Sequence, residues 1–438
     1  MRICASLNTL ADAQHTQGAD LTEVRLDLIR QIPPLSNESV ITYRGQVDLS
    51  MLPTDYQGMI DIGEAPLPAT KLRIIRSHHD YERTPSADAI ADRLMAAEKS
   101  VYIAKGAYAI NSLADLHSLF EASRHVARRH ILLGMGELGA VTRLRSELLG
   151  NEFTFGYVSQ PTAPGQLSIA EMRRLGDRCM LTGIVGHPLS RSLSPLMHNA
   201  AFRATGINGT YLRFDSPTSD RLAEVMREYD VRGVNITVPH KETVMEQLDR
   251  ISPEAGAVGA VNTIVNDHGR LSGENTDIIG ILVALNKAGF RAETGKKILI
   301  MGSGGAARAC AYIMGKQGCR IIVAARNPLT STRLVRDLGC ELINPTQADI
   351  SKYDLIVNST PIGMYDDSPY PVSLTGLSPH QTVLDMVYGH ETSLTRLAHD
   401  VGARCASGVD MLVAQGAASF ELWTGRGGLE SVMKGALQ

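Results

Sequence analysis

The chain has 438 residues, 44% of them hydrophobic and 20% charged, with a formal net charge of −3. That length exceeds one ordinary domain, the composition is globular, and so small a net charge gives no electrostatic case for nucleic acid or a membrane surface. Six scattered cysteines with no C-x-x-C pair or zinc spacing predict reduced core thiols and no metal site. No apolar run approaches the ~20 residues of a membrane helix, and the first residues lack the long apolar stretch of a signal peptide. A cytoplasmic protein is expected.

Short β-branched or apolar runs come first, near residues 3–7, 21–28, 40–43, 59–62, 72–75, 101–104, 130–134 and 153–158. Helical patterns sit at 86–98 and 112–127, with shorter ones near 11–14 and 141–149. This order predicts a parallel (β/α)8 barrel. Residues 29–38 and 63–71 are too Pro-rich or too short for full helices. The barrel is therefore shortened and stripped on one side, and the bare flank needs cover, from the second half or another subunit. A break falls between Arg174 and Leu181 without a flexible linker. Beyond it, strands near 297–301, 320–325, 355–358 and 382–386 alternate with helical runs in the α/β manner. The expected domains are a barrel at 1–174, a substrate domain from 180–287 plus 407–438, and a Rossmann nucleotide-binding domain at 288–406.

In the first half, polar clusters fall at or beyond the ends of barrel strands, where catalytic groups of such barrels stand. They are Glu23 with Arg25 and Asp27, Tyr43 with Arg44, the S-H-H-D run at 77–80, Lys105 and Arg143. Glu23, Arg25 and Asp27 alternate, so one strand would aim all three to one side. A buried charged interior either pairs internally or receives a ligand. Lys105 follows V-Y-I-A and is read as the end of a buried strand. Desolvation frees a lysine amine to attack a ketone, and His79, at the end of the preceding strand, could shuttle protons beside the imine.

In the second half, V-N-I-T-V-P-H-K, A-V-N-T and G-E-N-T-D place Lys241 and Asp277 among Asn and Thr residues. Such a pair amid neutral hydrogen-bonders suits proton exchange with a small hydroxylated substrate. His240 is given no chemical role. G-S-G-G-A-A at 302–307 (Gly302, Gly304, Gly305, Ala306) sits between strand and helix, so its backbone can approach a pyrophosphate. Ala307 stands where the third glycine of G-x-G-x-x-G would be. After the next strand there is no acid for a ribose hydroxyl, but Arg326 can pair with a 2′-phosphate, which favours NADP.

The second half resembles the shikimate dehydrogenase family over residues 181–425. The matching segments are G-H-P-L-S-R-S-L-S-P, N-I-T-V-P-H-K, A-V-N-T, G-E-N-T-D, G-S-G-G-A-A, N-S-T-P-I-G, D-M-V-Y and G-V-D-M-L-V-A-Q, in order. The resemblance implies that Lys241 and Asp277 are the catalytic pair and that Ser192 and Ser194 hold a substrate carboxylate. Thr237, Asn262, Tyr388 and Gln415 would bind ring hydroxyls, and Gly408 would join the cofactor contacts. Ala325-Arg326-Asn327 stands where the family has Asn-Arg-Thr.

Residues 1–170 resemble type I 3-dehydroquinate dehydratase. The landmarks are E-V-R, T-Y-R, S-H-H-D-Y-E-R-T-P, Lys105, S-L-A-D, T-R-L, F-T-F and A-P-G-Q. The resemblance makes Lys105 the Schiff-base former, His79 rather than His78 the acid/base, and Arg143 the partner of the substrate carboxylate. Glu23, Arg25, Arg44 and Gln166 would line the pocket. Asp48 stands where the family carries a Glu that bonds the catalytic histidine, and Gly63 replaces an acid of a D-x-E pattern. One product being the other's substrate, the joint reading is a bifunctional shikimate-pathway enzyme acting on small molecules, its oligomeric state open. The alternatives are a non-catalytic dehydroquinate-binding sensor or scaffold fused to a dehydrogenase, and a catabolic quinate/shikimate dehydrogenase.

Overall fold

The computed structural model describes residues 1–29, 31–43, 48–364 and 368–438. They form two compact units: Met1–Ser190 with Ile207–Arg232, and Arg191–Gly206 with Gly233–Gln438.

The first unit is built on eight parallel strands: β1 (Ile3–Leu7), β2 (Leu21–Arg25), β3 (Ser39–Thr42), β4 (Met59–Asp61), β5 (Arg73–Asp80), β6 (Ile103–Ala109), β7 (His130–Met135) and β8 (Thr154–Tyr157). Their order is β7-β6-β5-β4-β3-β2-β1-β8. The seam between β7 and β8 is closed by one bridge, His130 to Asn151. There the Asn151 side chain accepts from Leu132 N at 2.6 Å and donates to Leu132 O at 2.9 Å. An amide side chain thus supplies the bonds a ladder would have given. The barrel is nearly closed, as predicted.

Among the described residues α-helices follow only the later strands: α1 (Ala87–Met95), α2 (Leu113–His125), α3 (Val141–Leu144) and α4 (Ile169–Leu175), while β1 and β3 are followed by short 3-10 turns at Leu10–His15 and Leu49–Met51. Ser86, Ser112 and Ser168 cap α1, α2 and α4 through their hydroxyls, and Asp115 completes a capping box on α2. Where helices are missing, the connecting loops supply the cover. Leu26, Ile32, Leu35, Leu49, Leu52 and Tyr56 pack onto outward-facing Val24, Ile41, Ile60 and Ile74. The Tyr56 hydroxyl reaches the carbonyls of Ser39 and Met59, each at 2.8 Å. Among the described residues, short apolar loops of the barrel itself thus cover much of this flank, while Leu28, Met51 and Leu67 stay exposed.

Strand periodicity builds the interior in layers. Cys4, Leu21, Val40, Met59, Ile75 and Ile103 belong to one apolar cluster with Ile131 and Phe153. Two residues further along the same strands stand Ser6, Glu23, Thr42, Asp61, Ser77 and Lys105, none more than 4% exposed. A polar layer inside a barrel must satisfy itself or bind something.

The chain continues through β9 (Met180–Gly186), α5 (Ser194–Thr205), β10 (Gly209–Asp215) and α6 (Leu222–Glu228). β9 and β10 pair in parallel, and α6 packs on α2. Buried Arg145 fastens this segment to the barrel by donating to the carbonyls of Asp177 (2.6 Å), Cys179 (2.9 Å) and Tyr229 (2.8 Å).

In the second unit, β11 (Val231–Ile236) pairs antiparallel with β13 (Thr263–Asp267) from Gly233 onward. β14 (Arg270–Glu274) forms a hairpin with β13, and β12 (Arg250–Ile251), which leads into α7 (Pro253–Val258), pairs with β14. After α8 (Asp277–Lys287) comes a parallel sheet: β15 (Lys297–Met301), β16 (Arg320–Ala324), β17 (Glu341–Ile343), β18 (Leu355–Asn358), β19 (Thr382–Asp385) and β20 (Arg404–Ala406). Its order, β17-β16-β15-β18-β19-β20, is that of a doubly wound dinucleotide-binding sheet. β17 and β20 were not foreseen; each has three residues and mixed polarity. Helices α9 (Gly305–Lys316), α10 (Pro328–Leu338), α11 (Ser393–Asp400), α12 (Gly408–Thr424) and the short α13 (Glu430–Gly435) complete the unit. Among the described residues no helix is long and apolar enough to cross a membrane.

Candidate active sites

β5 and β6 run further than their apolar runs predicted, so Lys105 and His79 lie within strands rather than after them. Lys105 is consequently deep in the barrel, its side chain 5% exposed. Its Nζ is 3.1 Å from Asp61 Oδ2 and 4.2 Å from the centroid of the Phe155 ring. Asp61 is fixed from its other oxygen by the Ser77 hydroxyl (2.6 Å) and Gly63 N (3.0 Å). Burial opposes its ionisation, but Lys105, those two hydrogen bonds and the nearby His79 outweigh burial and hold the carboxyl below its ordinary range. Removing one member of such a pair typically costs about 3–5 kcal/mol.

His79 shares the inner face with Ser77, as strand alternation requires, and its ring stacks on Tyr81 with centroids 6.0 Å apart. His78 points the other way, to Glu64 and Arg93. Around them, Glu23 accepts from Ser6 (2.6 Å) and Thr42 (2.7 Å), and Gln166 donates to the same Ser6 hydroxyl at 3.3 Å. β2 ends at Arg25, so Asp27 does not continue the strand face. It turns back to pair with the Arg25 guanidinium, which corrects the expectation that all three charges point one way. Arg44 lies outside the described residues. Asp48 caps a one-turn helix through Ser50, and its contacts there are with Ser50 rather than a histidine.

Arg143 is 2% exposed. It donates to Gly134 O at 2.6 Å, while its Nε has no partner and no ion pair forms among the described residues. Burial pulls its pKa down to about 10. A buried cation short of an acceptor is suited to an anionic ligand group.

Asp61, which opens the D-x-E pattern ending at Gly63, was given no role by the sequence reading. The signal lay in register: Asp61 is two residues past Met59, as Lys105 is two past Ile103.

In the second unit Lys241 and Asp277 form an ion pair, their side chains 13% and 6% exposed. Asn262 Nδ2 donates to Asp277 Oδ1 (2.8 Å) and Thr276 Oγ1 (3.0 Å) and lies 3.4 Å from Gln415 Oε1. Its Oδ1 accepts from Thr276 N at 2.7 Å. Thr263, Thr276, Asn235 and Ser419 extend the network behind it. The chain aligns these groups by backbone bonds: Val261 N donates to Lys241 O (2.8 Å) and Ile236 N to Asn262 O (2.7 Å). Thr237 opens the turn that delivers Lys241, its carbonyl accepting from the buried His240. Ser192 and Ser194 stand at the start of α5, both buried, with Ser194 N directed to Ser192 Oγ at 3.4 Å. α5 packs on α12 beside Gly416, next to Gln415. Half-buried Tyr388 follows β19. Gly408 lets α12 seat against that exit, since a Cβ there would fall 2.5 Å from Val387 O and 2.7 Å from Asp385 O.

The glycine turn after β15 leaves room for an anion. Gly302 has a φ of +113° and Gly304, the N-cap of α9, carries no capping side chain. A Cβ on Gly304 would meet nothing within 4 Å. The first N–H groups of α9, with Ala306 in its first turn, are left without a capping side chain, which fits a dinucleotide pyrophosphate. Gly305 has a different reason: a Cβ there would lie 2.8 Å from Lys241 Cδ. Arg326 is exposed just after β16, without an ion pair among the described residues. Asn327 caps α10 through Leu329 N (3.0 Å), and Ala325 packs on the core, which accounts for both residues flanking Arg326.

A helix-poor barrel with one buried lysine–carboxylate pair, followed by a doubly wound unit with another, is the frame of a lyase linked to a nucleotide-dependent oxidoreductase. The comparisons agree. Residues 61–177 match the type I 3-dehydroquinase model, 184–264 the shikimate dehydrogenase substrate binding domain, and 408–438 the shikimate 5′-dehydrogenase C-terminal domain. The chloroplastic bifunctional 3-dehydroquinate dehydratase/shikimate dehydrogenase of Arabidopsis thaliana is 31% identical over 486 residues, covering 94% of this chain and 78% of the relative. The NADP(+) shikimate dehydrogenase of Moorella thermoacetica is 42% identical over 275 residues, covering 59% of this chain and 92% of the relative. A crystal structure of the Thermus thermophilus shikimate 5-dehydrogenase with NADP(H) and shikimate matches with a TM-score of 0.54 at 36% identity, covering 59% of this chain and 98% of that one. The chain belongs to the bifunctional 3-dehydroquinate dehydratase/shikimate dehydrogenase family.

Proposed function

We propose that the barrel dehydrates 3-dehydroquinate to 3-dehydroshikimate and that the second unit reduces this product to shikimate with NADPH. The observation that carries the reading is the pair of separate, buried amine–carboxylate sites, Lys105 with Asp61 and Lys241 with Asp277. In the barrel, Lys105 forms an imine with the substrate ketone and thereby acidifies the adjacent carbon. His79 removes that proton and returns it to the departing hydroxyl. Arg143 receives the substrate carboxylate, while Glu23, Arg25, Arg44 and Gln166 hold its hydroxyls.

In the dehydrogenase, Ser192 and Ser194 take the carboxylate, and Thr237, Asn262, Tyr388 and Gln415 the ring hydroxyls. Lys241 stabilises the alkoxide and delivers its proton, with Asp277 keeping the amine charged. The cofactor supplies hydride when bound. Gly302, Gly304, Gly305 and Ala306 would cradle its pyrophosphate, with Gly408 alongside, and Arg326 would pair with the 2′-phosphate that separates NADP from NAD. Functionally we divide the chain at 1–174, 180–287 plus 407–438, and 288–406. All six cysteines are free thiols, which supports a reducing, cytoplasmic setting.

Adding dehydroquinate alone to the purified chain with NADPH tests the whole reading. NADPH consumption that yields shikimate requires both activities, whereas quinate as the product would mark direct reduction of dehydroquinate by a dehydrogenase alone. Dehydroshikimate-dependent consumption without any from dehydroquinate would instead indicate a barrel that binds and does not turn over.

A further inference from the structure

The Lys105–Asp61 pair has a charge history that follows from the proposed dehydratase chemistry, on which this inference rests. When an ammonium condenses with a ketone, the carbonyl oxygen leaves as water and the product is an iminium: one positive charge precedes the step and one follows it. When His79 then takes the proton from the adjacent carbon, the C–H electron pair flows into the iminium, leaving a neutral enamine and a charged imidazolium. Departure of the hydroxyl with that proton, again as water, regenerates a conjugated iminium. Hydrolysis of the iminium returns the ammonium. One cation therefore persists throughout and alternates between two places, the Lys105 nitrogen and the His79 ring.

Asp61 stands beside both places. Its Oδ2 is 3.1 Å from Lys105 Nζ, its Oδ1 accepts from Ser77, and His79 is two residues beyond Ser77 on the same face of β5, within electrostatic reach of the carboxylate. Its side chain is 1% exposed, so no solvent shares the role, and Ser77 and Gly63 fix the carboxylate through the other oxygen. The charged or titratable groups turned toward this spot from the other strands are few. Cys4 of β1 is a thiol that burial, first of all, keeps protonated, with Glu23 adding to it. Glu23 of β2 is held by Ser6 and Thr42. β7 contributes Ile131, Leu133 and Met135 and β8 Phe155, all apolar; Arg44, after β3, lies outside the described residues.

We infer that Asp61 is a positioning residue: the fixed counter-ion of the Lys105 iminium and, after proton abstraction, of the His79 imidazolium. Proton transfer then shifts the cation within the field of one anion instead of creating or destroying a buried charge.

Borohydride reduces a protonated imine, so the pH at which adduct yield on Lys105 falls reads the protonation of the iminium directly. The wild-type chain is incubated with dehydroquinate, reduced across a pH series and read by mass. Asp61→Asn and Asp61→Glu are treated alike, with circular dichroism and shikimate oxidation as folding controls. With Asp61→Asn the trapping midpoint and the alkaline limb of kcat should move at least one pH unit downward and kcat should fall at least 100-fold, while KM changes less than threefold. Asp61→Glu should keep the wild-type midpoint with a smaller loss of kcat. A trapping curve for Asp61→Asn that is lower but parallel to wild type overturns the inference, as does an equal shift with Asp61→Glu. If Asp61→Asn does not fold, Ser77→Ala, which loosens the same carboxylate, should move the midpoint in the same direction, and an unmoved midpoint counts against the inference. Absence of any wild-type adduct removes the imine reading itself, a different failure.

Discussion

Arg143 is a cation that the barrel buries at its own expense. Burial lowers its pKa to about 10, so below that pH the fold carries the full cost of a charge held out of water, a cost that ligand binding offsets. Arg143→Met should therefore raise the stability of the first unit by about 1–4 kcal/mol, read by urea denaturation, while raising KM for dehydroquinate at least 100-fold. A destabilised variant would mean that the guanidinium's bond to Gly134 O outweighs the cost of burying its charge. Asp61 works in the opposite sense. Its carboxyl is held low, so its contribution is complete above about pH 4 and lost as pH falls through the depressed value. Acid unfolding of the Asp61→Asn barrel should lack that limb. At this scale the sequence was legible wherever a residue belonged to a run of matched spacing, as His79, Lys105, Lys241 and Asp277 did. Asp61 was visible only as the start of a D-x-E pattern; its pairing with Lys105 was not, because that depends on which residues of other strands stand at the same depth.

Helix α9 and the turn carrying Lys241 meet at a glycine. Gly305 has been read as a cofactor contact, yet the nearest atoms to an added Cβ are Lys241 Cδ at 2.8 Å and Lys241 Cβ at 2.9 Å. Gly305→Ala should push the lysine chain aside. A displacement of about an ångström costs on the order of 100-fold in rate, so kcat for shikimate oxidation should fall by that much while barrel activity is untouched. An effect on the KM for NADP alone would assign Gly305 to the cofactor only. The β7–β8 seam gives a second test among elements. Asn151→Ala strands both polar groups of the buried Leu132 backbone and should destabilise the first unit by about 1–3 kcal/mol, seen as a lower denaturation midpoint. Strand positions were readable from β-branched runs, but their ends were not. β5 and β6 continue through polar and small residues that only inter-strand pairing makes into strand. Asn151 could not be foreseen, because a side chain replacing a ladder leaves no periodic trace.

Across the whole molecule, the proposed reading gives each chemistry its own lysine, and the two should separate cleanly. Lys105→Ala should abolish dehydration and leave shikimate oxidation within about twofold of wild type; Lys241→Ala should do the reverse. Loss of both activities from either substitution in a folded chain would contradict two independent sites. The overall plan was legible because barrel and doubly wound sheet have different rhythms of strand and helix. What covered the barrel's helix-free side was not legible, since Leu49, Leu52 and Tyr56 sit in a stretch with no secondary-structure period at all.

That side of the barrel has a consequence for its motions. Strands backed by α1 and α2 are clamped by capped helices, whereas among the described residues β2, β3 and β4 are backed by side chains from loops and one short 3-10 turn. Small openings there need break few backbone bonds, so amide deuteration should be fastest along β2–β4. Dehydroquinate, bridging Glu23 on the loosely backed wall to Lys105 on the firm one, would slow that deuteration selectively, making the substrate itself the missing brace.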